Sequence, residues 1–345
     1  MSGLEAAVRE LLERSRSVVL ADPISITLGV AGTRIRLMSA GPAMLDFVRP
    51  AFAHLPILDE ETAADLTVWL WDTESTGEKP LELPLPPIED EAVGVVNAED
   101  ILLSYRRVEK SMSFLQRSTN EAFFIAEAAG SIPEWARPQP LRHLLSWWFC
   151  DRGLLLAHSA AVSTPDGAAL LVGPSGSGKS STALACLSAG MGYLGDDYVI
   201  VDPAKREVWS LYSSARLVAE HHDRYPHLMT SDSTTSGEPG VIKRIGWPGV
   251  EFADRVSLWA QARAFVLPTV TRGPECRLLP STAARALLAL APTTLFQAVA
   301  LKKKVFELSS AAVRPFLPIR LELGHGVESV PAQLSELIAS GAGLR

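Results

Sequence analysis

The chain has 345 residues, with 32 Lys and Arg against 39 Asp and Glu, a formal net charge of −7. That balance excludes a general binder of nucleic acid or of anionic membranes, which needs a basic face and usually a basic total. Hydrophobic residues at 47% and charged residues at 21% are ordinary for a soluble globular chain, and the length suggests two domains. Cys150, Cys186 and Cys276 are odd in number and far apart. Neither a zinc site nor a disulfide framework is therefore expected, and a reducing cytoplasm is the expected compartment.

Leu4, Val8, Leu11 and Leu12 recur at helical spacing and predict an amphipathic helix over 1–20, ended by Asp22-Pro23. The charges in this stretch leave no apolar core for a signal peptide. Ile24 to Val30 alternate as a strand, which Ile35 and Leu37 continue, and Gly41-Pro42 opens a helix to about His54. Leu66, Val68 and Leu70 predict a further strand with Trp69 and Trp71 on its other face. The acidic, proline-rich stretch 73–92 reads as a long loop, solvated in the simpler reading and a partner surface in the other. Strands follow at 101–105 and 123–125, and Pro133, Pro138 and Pro140 punctuate a connection into 141–149. This composition shift divides the chain into an α+β amino-terminal domain, 1–135, and a second domain, 136–345.

In the second part strand-like runs alternate with helical ones. Strands are expected at 154–162, 168–172, 198–201, 208–212, 264–267 and 319–323, and helices at 180–187, 282–290 and 332–339. That is the pattern of an α/β core. The most membrane-like window, 283–301, carries Arg285, Pro292, Thr293, Thr294 and Gln297, so it reads as a buried amphipathic helix plus a turn.

Gly173, Pro174, Ser175, Gly176, Ser177, Gly178, Lys179 and Ser180 fit GxxxxGK[ST] in full, after an apolar strand and before a helix that Ser181 continues. The glycines let backbone N–H groups converge on phosphate oxygens, and the helix turns its positive end toward the same anion. Lys179 reaches the β- and γ-phosphates as a flexible point charge, and Ser180 offers Mg²⁺ a hydroxyl ligand. These residues predict binding of a nucleoside triphosphate.

A phosphate loop needs a carboxylate for its metal. Asp196 and Asp197 follow the helix in the segment Gly195-Asp-Asp-Tyr-Val-Ile-Val201, and they read as preceding a strand rather than ending one. Adjacent side chains on an extended chain point apart. One carboxylate can then face the metal and the other an acceptor hydroxyl, while a solvated Asp-Asp turn is the ordinary reading of such a pair. His158, in Leu-Ala-His-Ser-Ala-Ala-Val, reads as lying on the strand paired with the one before the loop. In isolation a histidine in such an apolar run is more often a satisfied core residue.

Together the segments AHSAAV, GPSGSGKSS and YLGDDYVIV resemble the catalytic domain of the HPr kinase/phosphorylase family in order and spacing. The resemblance covers about 45 residues, 157–201, with weaker likeness onward through YSSARL and Lys243-Arg244. It implies a P-loop kinase core similar to the phosphoenolpyruvate carboxykinase nucleotide domain. It also implies ATP- and Mg²⁺-dependent phosphoryl transfer to a serine of a peptide or protein. By the same resemblance Lys179 holds phosphates, Ser180 and Asp196 serve the metal, Asp197 is the base and His158 helps place the reacting phosphate. The family's Gly- and Arg-rich phosphorolysis signature has only GEPGVIKRIG as a distant stand-in, and residues 1–135 do not resemble its regulatory domain. The whole chain looks more like divergent HPr-kinase-like proteins that accompany peptide-modifying gene clusters, some of which phosphorylate a serine of a lasso-peptide precursor.

The expected partner is therefore a serine-containing acceptor, recognised by residues 1–135 unless these mediate assembly. Self-association is a further expectation, since HPr kinases are hexameric. A small-molecule kinase, and a nucleotide-binding switch or assembly module without transfer activity, are the alternative readings.

Overall fold

The computed structural model describes residues 2–83, 93–97, 100–218, 225, 234–238, 241–271 and 273–344. They form two compact units: residues 1–50 with 55–148, and residues 51–54 with 149–345. This division falls after the proline-rich connection where composition changes. Leu141, Leu144, Leu145, Trp147 and Trp148 are all buried beyond it, so the apolar content of the first unit continues past residue 135.

The amino-terminal unit begins with helix α1 (Ser2–Ala21). Its strands are β1 (Pro23–Val30), β2 (Thr33–Ala40), β3 (Ile57–Leu58), β4 (Leu66–Asp72), β5 (Val93–Asn97), β6 (Ile101–Arg106), β7 (Ser111–Gln116) and β8 (Glu121–Ala126). Among the described residues they make one sheet in the order β3-β1-β2-β4-β8-β7-β6-β5. Val8, Leu11, Leu12 and Val19 of α1 pack with Trp71, Phe114 and Phe123, as the helical spacing requires. The helix expected to reach His54 stops early, as α2 (Pro42–Val48) and a short 3₁₀ turn, where Pro50 lacks the amide proton an α-helix uses. The expected loop after β4 opens with one helical turn, α3 (Thr73–Thr76), whose Ser75 amide is capped by Asp72 at 2.7 Å. Residues 84–92 of that stretch lie outside the described residues. Helix α4 (Arg142–Asp151) follows the prolines.

The carboxy-terminal unit is mixed α/β. Its main sheet runs β12-β10-β11-β18-β14-β13-β9, from β9 (Leu155–Ala157), β10 (Ala160–Thr164), β11 (Gly167–Leu171), β12 (Gly192–Gly195), β13 (Val199–Asp202), β14 (Glu207–Ser210) and the long β18 (Trp259–Val270). β20 (Ile319–Leu323) lies parallel to β18, and β19 (Arg277–Pro280) antiparallel to β20. A small sheet joins β15 (Ala215–Val218), β16 (Thr234–Glu238) and β17 (Val241–Gly246). The helices are α5 (Lys179–Ser188), α6 (Pro248–Glu251), α7 (Ala283–Gln297), α8 (Lys302–Val313) and α9 (Val330–Ser340).

β11 pairs with β18 in parallel, so both side-chain faces of β11 need cover. Leu184, Leu187, Leu334 and Ile338 of α5 and α9 bury one face. Ala286, Leu290, Val305 and Val313 of α7 and α8 share a cluster with the other.

Three expectations change here. The single strand expected over 154–162 is broken at His158–Ser159 into β9 and β10, because the two halves pair with different partners, β13 and β11. The Asp196–Asp197 pair precedes a strand, β13, as expected, but it also directly follows one: β12 is only Gly192–Gly195, and its flanking glycines hide it from an apolar-run search. The helix in 283–301 is not fully buried, since Leu288 is 72% and Phe296 81% exposed. No described helix is long and apolar enough to cross a membrane.

Candidate functional site

The Gly173–Ser180 loop leaves the carboxyl end of β11 and enters α5 directly. Gly178 stands at φ +102, a left-handed conformation natural to glycine, and a Cβ there would strike Leu323. Gly173 is equally constrained, since its Cβ would press on the Ser177 side chain. The first turn of α5 points amide N–H groups without intrahelical acceptors at this loop. Lys179 is buried, and its Nζ donates to Gly173 O at 2.7 Å and Pro174 O at 3.1 Å. An ammonium has three donors, so one remains for an anion. Burial lowers the Lys179 pKa; Asp197 and Asp196 oppose that, while nearby Lys243 adds to it. Ser177 Oγ is buried and makes no hydrogen bond among the described residues.

Asp196 and Asp197 sit where β12 ends. Asp196 is 1% exposed, and its Oδ2 accepts the Arg216 backbone N–H at 2.7 Å. Burial, with Asp197 beside it, pushes the Asp196 carboxyl up to about 6, against the opposing pull of that amide and the Ser180 hydroxyl. Asp196 Oδ1 is buried and makes no hydrogen bond in full geometry among the described residues.

Asp197 differs. Burial would raise it too, but Arg216, His158 and Lys179 together outweigh burial and hold it below the usual carboxylate range. Arg216 Nε lies 3.1 Å from Asp197 Oδ2, and His158 Nε2 lies 3.6 Å from Oδ1, an ion-pair distance longer than a hydrogen bond. The two adjacent carboxylates thus have different partners, as the alternation of an extended chain requires.

His158 lies near the pair but not within a strand. It occupies the corner between β9 and β10. Its amide donates to Thr294 Oγ1 of α7 at 3.1 Å, and its ring lies 5.1 Å from that of Tyr198. The next residue, Ser159, donates its amide to Asp197 O at 3.1 Å and its hydroxyl to Leu171 O at 3.1 Å. Ser159 therefore ties the His158 corner to both the aspartate pair and the strand that launches the loop. Ser159, Thr294 and Arg216 were not singled out from sequence. Arg216 stands inside the YSSARL stretch, where only its distance from the loop concealed it.

The residues fit the group they are expected to hold. Ser180 and Asp196 Oδ1 offer hard oxygen ligands of the type Mg²⁺ takes along with waters and phosphate oxygens. Among the described residues no group of three or more His, Cys, Asp or Glu side chains could hold a metal by itself. Trp71, Trp147 and Trp148 are fully buried core residues. The three cysteines form no disulfide and are buried.

No family model matches the chain, and no curated protein matches it. Among solved structures, the HPr(Ser) kinase/phosphatase from Coxiella burnetii overlaps 53% of this chain and 93% of its own, at 11% identity and a TM-score of 0.24. An overlap at that score assigns neither fold nor function.

Proposed function

We propose that the protein is an ATP-dependent kinase that transfers the γ-phosphate to a serine hydroxyl of a peptide or protein acceptor. One observation supports this above others: a glycine loop with a buried lysine shares its surroundings with two adjacent aspartates whose charge partners differ. Phosphoryl transfer asks a protein mainly for positioning and charge, which this arrangement supplies.

In this reading Lys179 and the loop amides hold the phosphates. Ser180 and Asp196 hold Mg²⁺, which when bound supplies the positive charge that offsets the phosphate oxygens. Asp197 receives the acceptor proton, and His158 helps place the transferred group. A carboxylate held below its usual range is a weak base. That suits a loose transition state, in which the hydroxyl proton leaves late and orientation matters more than basicity. Arg216 fixes one Asp197 oxygen and leaves the other toward His158.

The test is incubation with γ-labelled ATP and Mg²⁺ alongside a library of serine-containing peptides, followed by phosphoamino-acid analysis. Label on serine that disappears with Asp197→Asn supports the reading. Label on a metabolite indicates a small-molecule kinase. Binding of ATP with no transfer to any acceptor indicates a switch or assembly module. Either of these outcomes overturns the reading.

A further inference from the structure

The amino-terminal unit contains a cleft, partly open to solvent, at the start of α4. Arg142 and His143 are the first residues of this ten-residue helix, and both line the cleft. Their amide N–H groups, like those of the whole first turn, have no acceptor within the helix and carry its positive end. Leu141, just before them, stands at φ +58, a strained backbone for a branched side chain.

A separate observation points to a ligand. Gln139 is 8% exposed and lines the same cleft, yet its Oε1 is buried and accepts no hydrogen bond among the described residues. An unsatisfied buried acceptor is uncommon enough in folded proteins to need an explanation. The charged lining is Arg106, Glu109 and Arg142. Both arginines already face Glu109, whose carboxyl pKa is raised by burial while the charges of Arg106 and Arg142 oppose that; Arg106 lies 2.8 Å from Glu109 Oε1, 3.1 Å from His143 Nε2 and 5.6 Å from the Trp135 ring. Burial keeps His143 neutral, its pKa well below the ordinary value. Two guanidiniums and one carboxylate leave one net positive charge, which matches a carboxylate better than a doubly charged phosphate. Phe47, Phe124 and Ile132 supply an apolar wall for a short aliphatic stem.

We propose that this cleft binds an acidic residue of a peptide, its carboxylate at the amino end of α4 beside Arg142 and its backbone N–H donated to Gln139 Oε1. The site is independent of the kinase reading, and it supplies the amino-terminal unit with a means of selecting a partner.

The full-length protein, without nucleotide, is titrated with N-acetyl-glutamyl amide and followed by protein-observed NMR. The comparison probes are N-acetyl-glutaminyl amide, glutarate and inorganic phosphate. The acidic amide is expected to bind about tenfold or more tighter than its neutral counterpart, as a charge-assisted contact should. Arg142→Gln should remove most of that preference, while Arg142→Lys keeps binding within about threefold because the charge persists. Gln139→Leu should weaken the glutamyl amide and leave glutarate unchanged. Equal binding of the acidic and neutral amides, or an Arg142→Gln protein with undiminished affinity, overturns the site. Glutarate binding as tightly as the glutamyl amide would show a small-carboxylate site, and tighter phosphate binding an anion site of another kind. Both overturn the peptide assignment. If Arg142→Gln fails to fold, the Arg142→Lys and Gln139→Leu comparisons still decide.

Discussion

Arg216 Nε lies 3.1 Å from Asp197 Oδ2, while the backbone N–H of the same residue reaches Asp196 Oδ2 at 2.7 Å. One residue of β15 therefore addresses both carboxylates, one through its side chain and one through its main chain. The main-chain contact survives any substitution except proline. The two functions are thus separable by mutation.

Arg216→Gln is expected to leave Asp197 enclosed without its main counter-charge. Breaking a fully buried pair costs about 3–5 kcal/mol, and the partial exposure here reduces this to about 2 kcal/mol. Adding Asp197→Asn to Arg216→Gln should recover most of the loss, because the uncompensated charge is removed. A double-mutant cycle from chemical denaturation measures the coupling. Additive losses would mean that the pair does not interact.

Lys179→Ala should abolish the stabilisation conferred by Mg²⁺ and ATP. A ligand at 100 times its dissociation constant adds about 2.7 kcal/mol to the native state, which a melting curve resolves easily. The variant loses a buried charge that is costly to desolvate but that also faces Asp196 and Asp197, so the two effects oppose one another and its own melting temperature should stay near that of the parent. An undiminished ATP shift in Lys179→Ala would remove the loop from the nucleotide site.

Much of this site was legible because its parts are local. The loop motif is contiguous, and its strand-before, helix-after context follows from apolar runs on either side. The aspartate pair and His158 were visible for the same reason. Arg216 was hidden because its relation to the pair is made by β15 returning beside the end of β12, a tertiary fact with no sequence spacing. The short β12 escaped because two of its four residues are glycine, which carry no hydrophobic pattern. The break at His158–Ser159 escaped because a strand that changes partners keeps the same apolar composition on both sides.

The two aspartates should respond differently to amide substitution. Asp197→Asn keeps shape but cannot accept a proton, and loss of a general base typically costs ~10²–10⁴-fold in turnover with little change in nucleotide affinity. Asp196→Asn should instead raise the Mg²⁺ concentration needed for half-maximal rate. Steady-state kinetics with varied Mg²⁺ separates the two. Exchanged phenotypes would reverse the roles within the pair.

His54 gives the carboxy-terminal unit a pH dependence. Its Nε2 lies 2.8 Å from Ser210 Oγ, and burial lowers its pKa from 6.5 to about 4. In the unfolded chain this ring takes up its proton near 6.5, whereas the folded one resists until near 4. Stability is therefore fully present above 6.5 and is lost as pH falls through that window. At 1.36 kcal/mol per unit the contribution is at most about 3 kcal/mol. Denaturation midpoints measured from pH 7.5 to 4.5 should fall, and His54→Gln should flatten part of that slope. A slope unchanged in His54→Gln would assign the acid sensitivity to other groups, with buried His143 the next to test.

The same short segment sets the outcome of truncation. Residues 51–54 are remote in sequence from residue 149, yet they belong to the carboxy-terminal unit. Phe52 is 4% exposed with its ring 5.5 Å from that of Tyr212, Ala51 O accepts the Ser213 amide at 3.1 Å, and His54 reaches Ser210. A chain starting near Pro138 would lack all of these, taking the Phe52 ring from Tyr212, the Ala51 carbonyl from the Ser213 amide and the His54 ring from Ser210 Oγ. Such a fragment is expected to be insoluble or strongly destabilised, even though every residue of the proposed kinase site is present. Phe52→Ala in the full chain isolates the effect, with an expected loss of about 3–4 kcal/mol for an aromatic side chain deleted from a packed interior. Differential scanning calorimetry should show the transition of the carboxy-terminal unit, identified by its ATP dependence, moving down by several degrees. A Phe52→Ala protein that melts like the parent, or a soluble 138–345 fragment of undiminished stability, would show that the 51–54 segment is an accessory to that unit rather than part of its core.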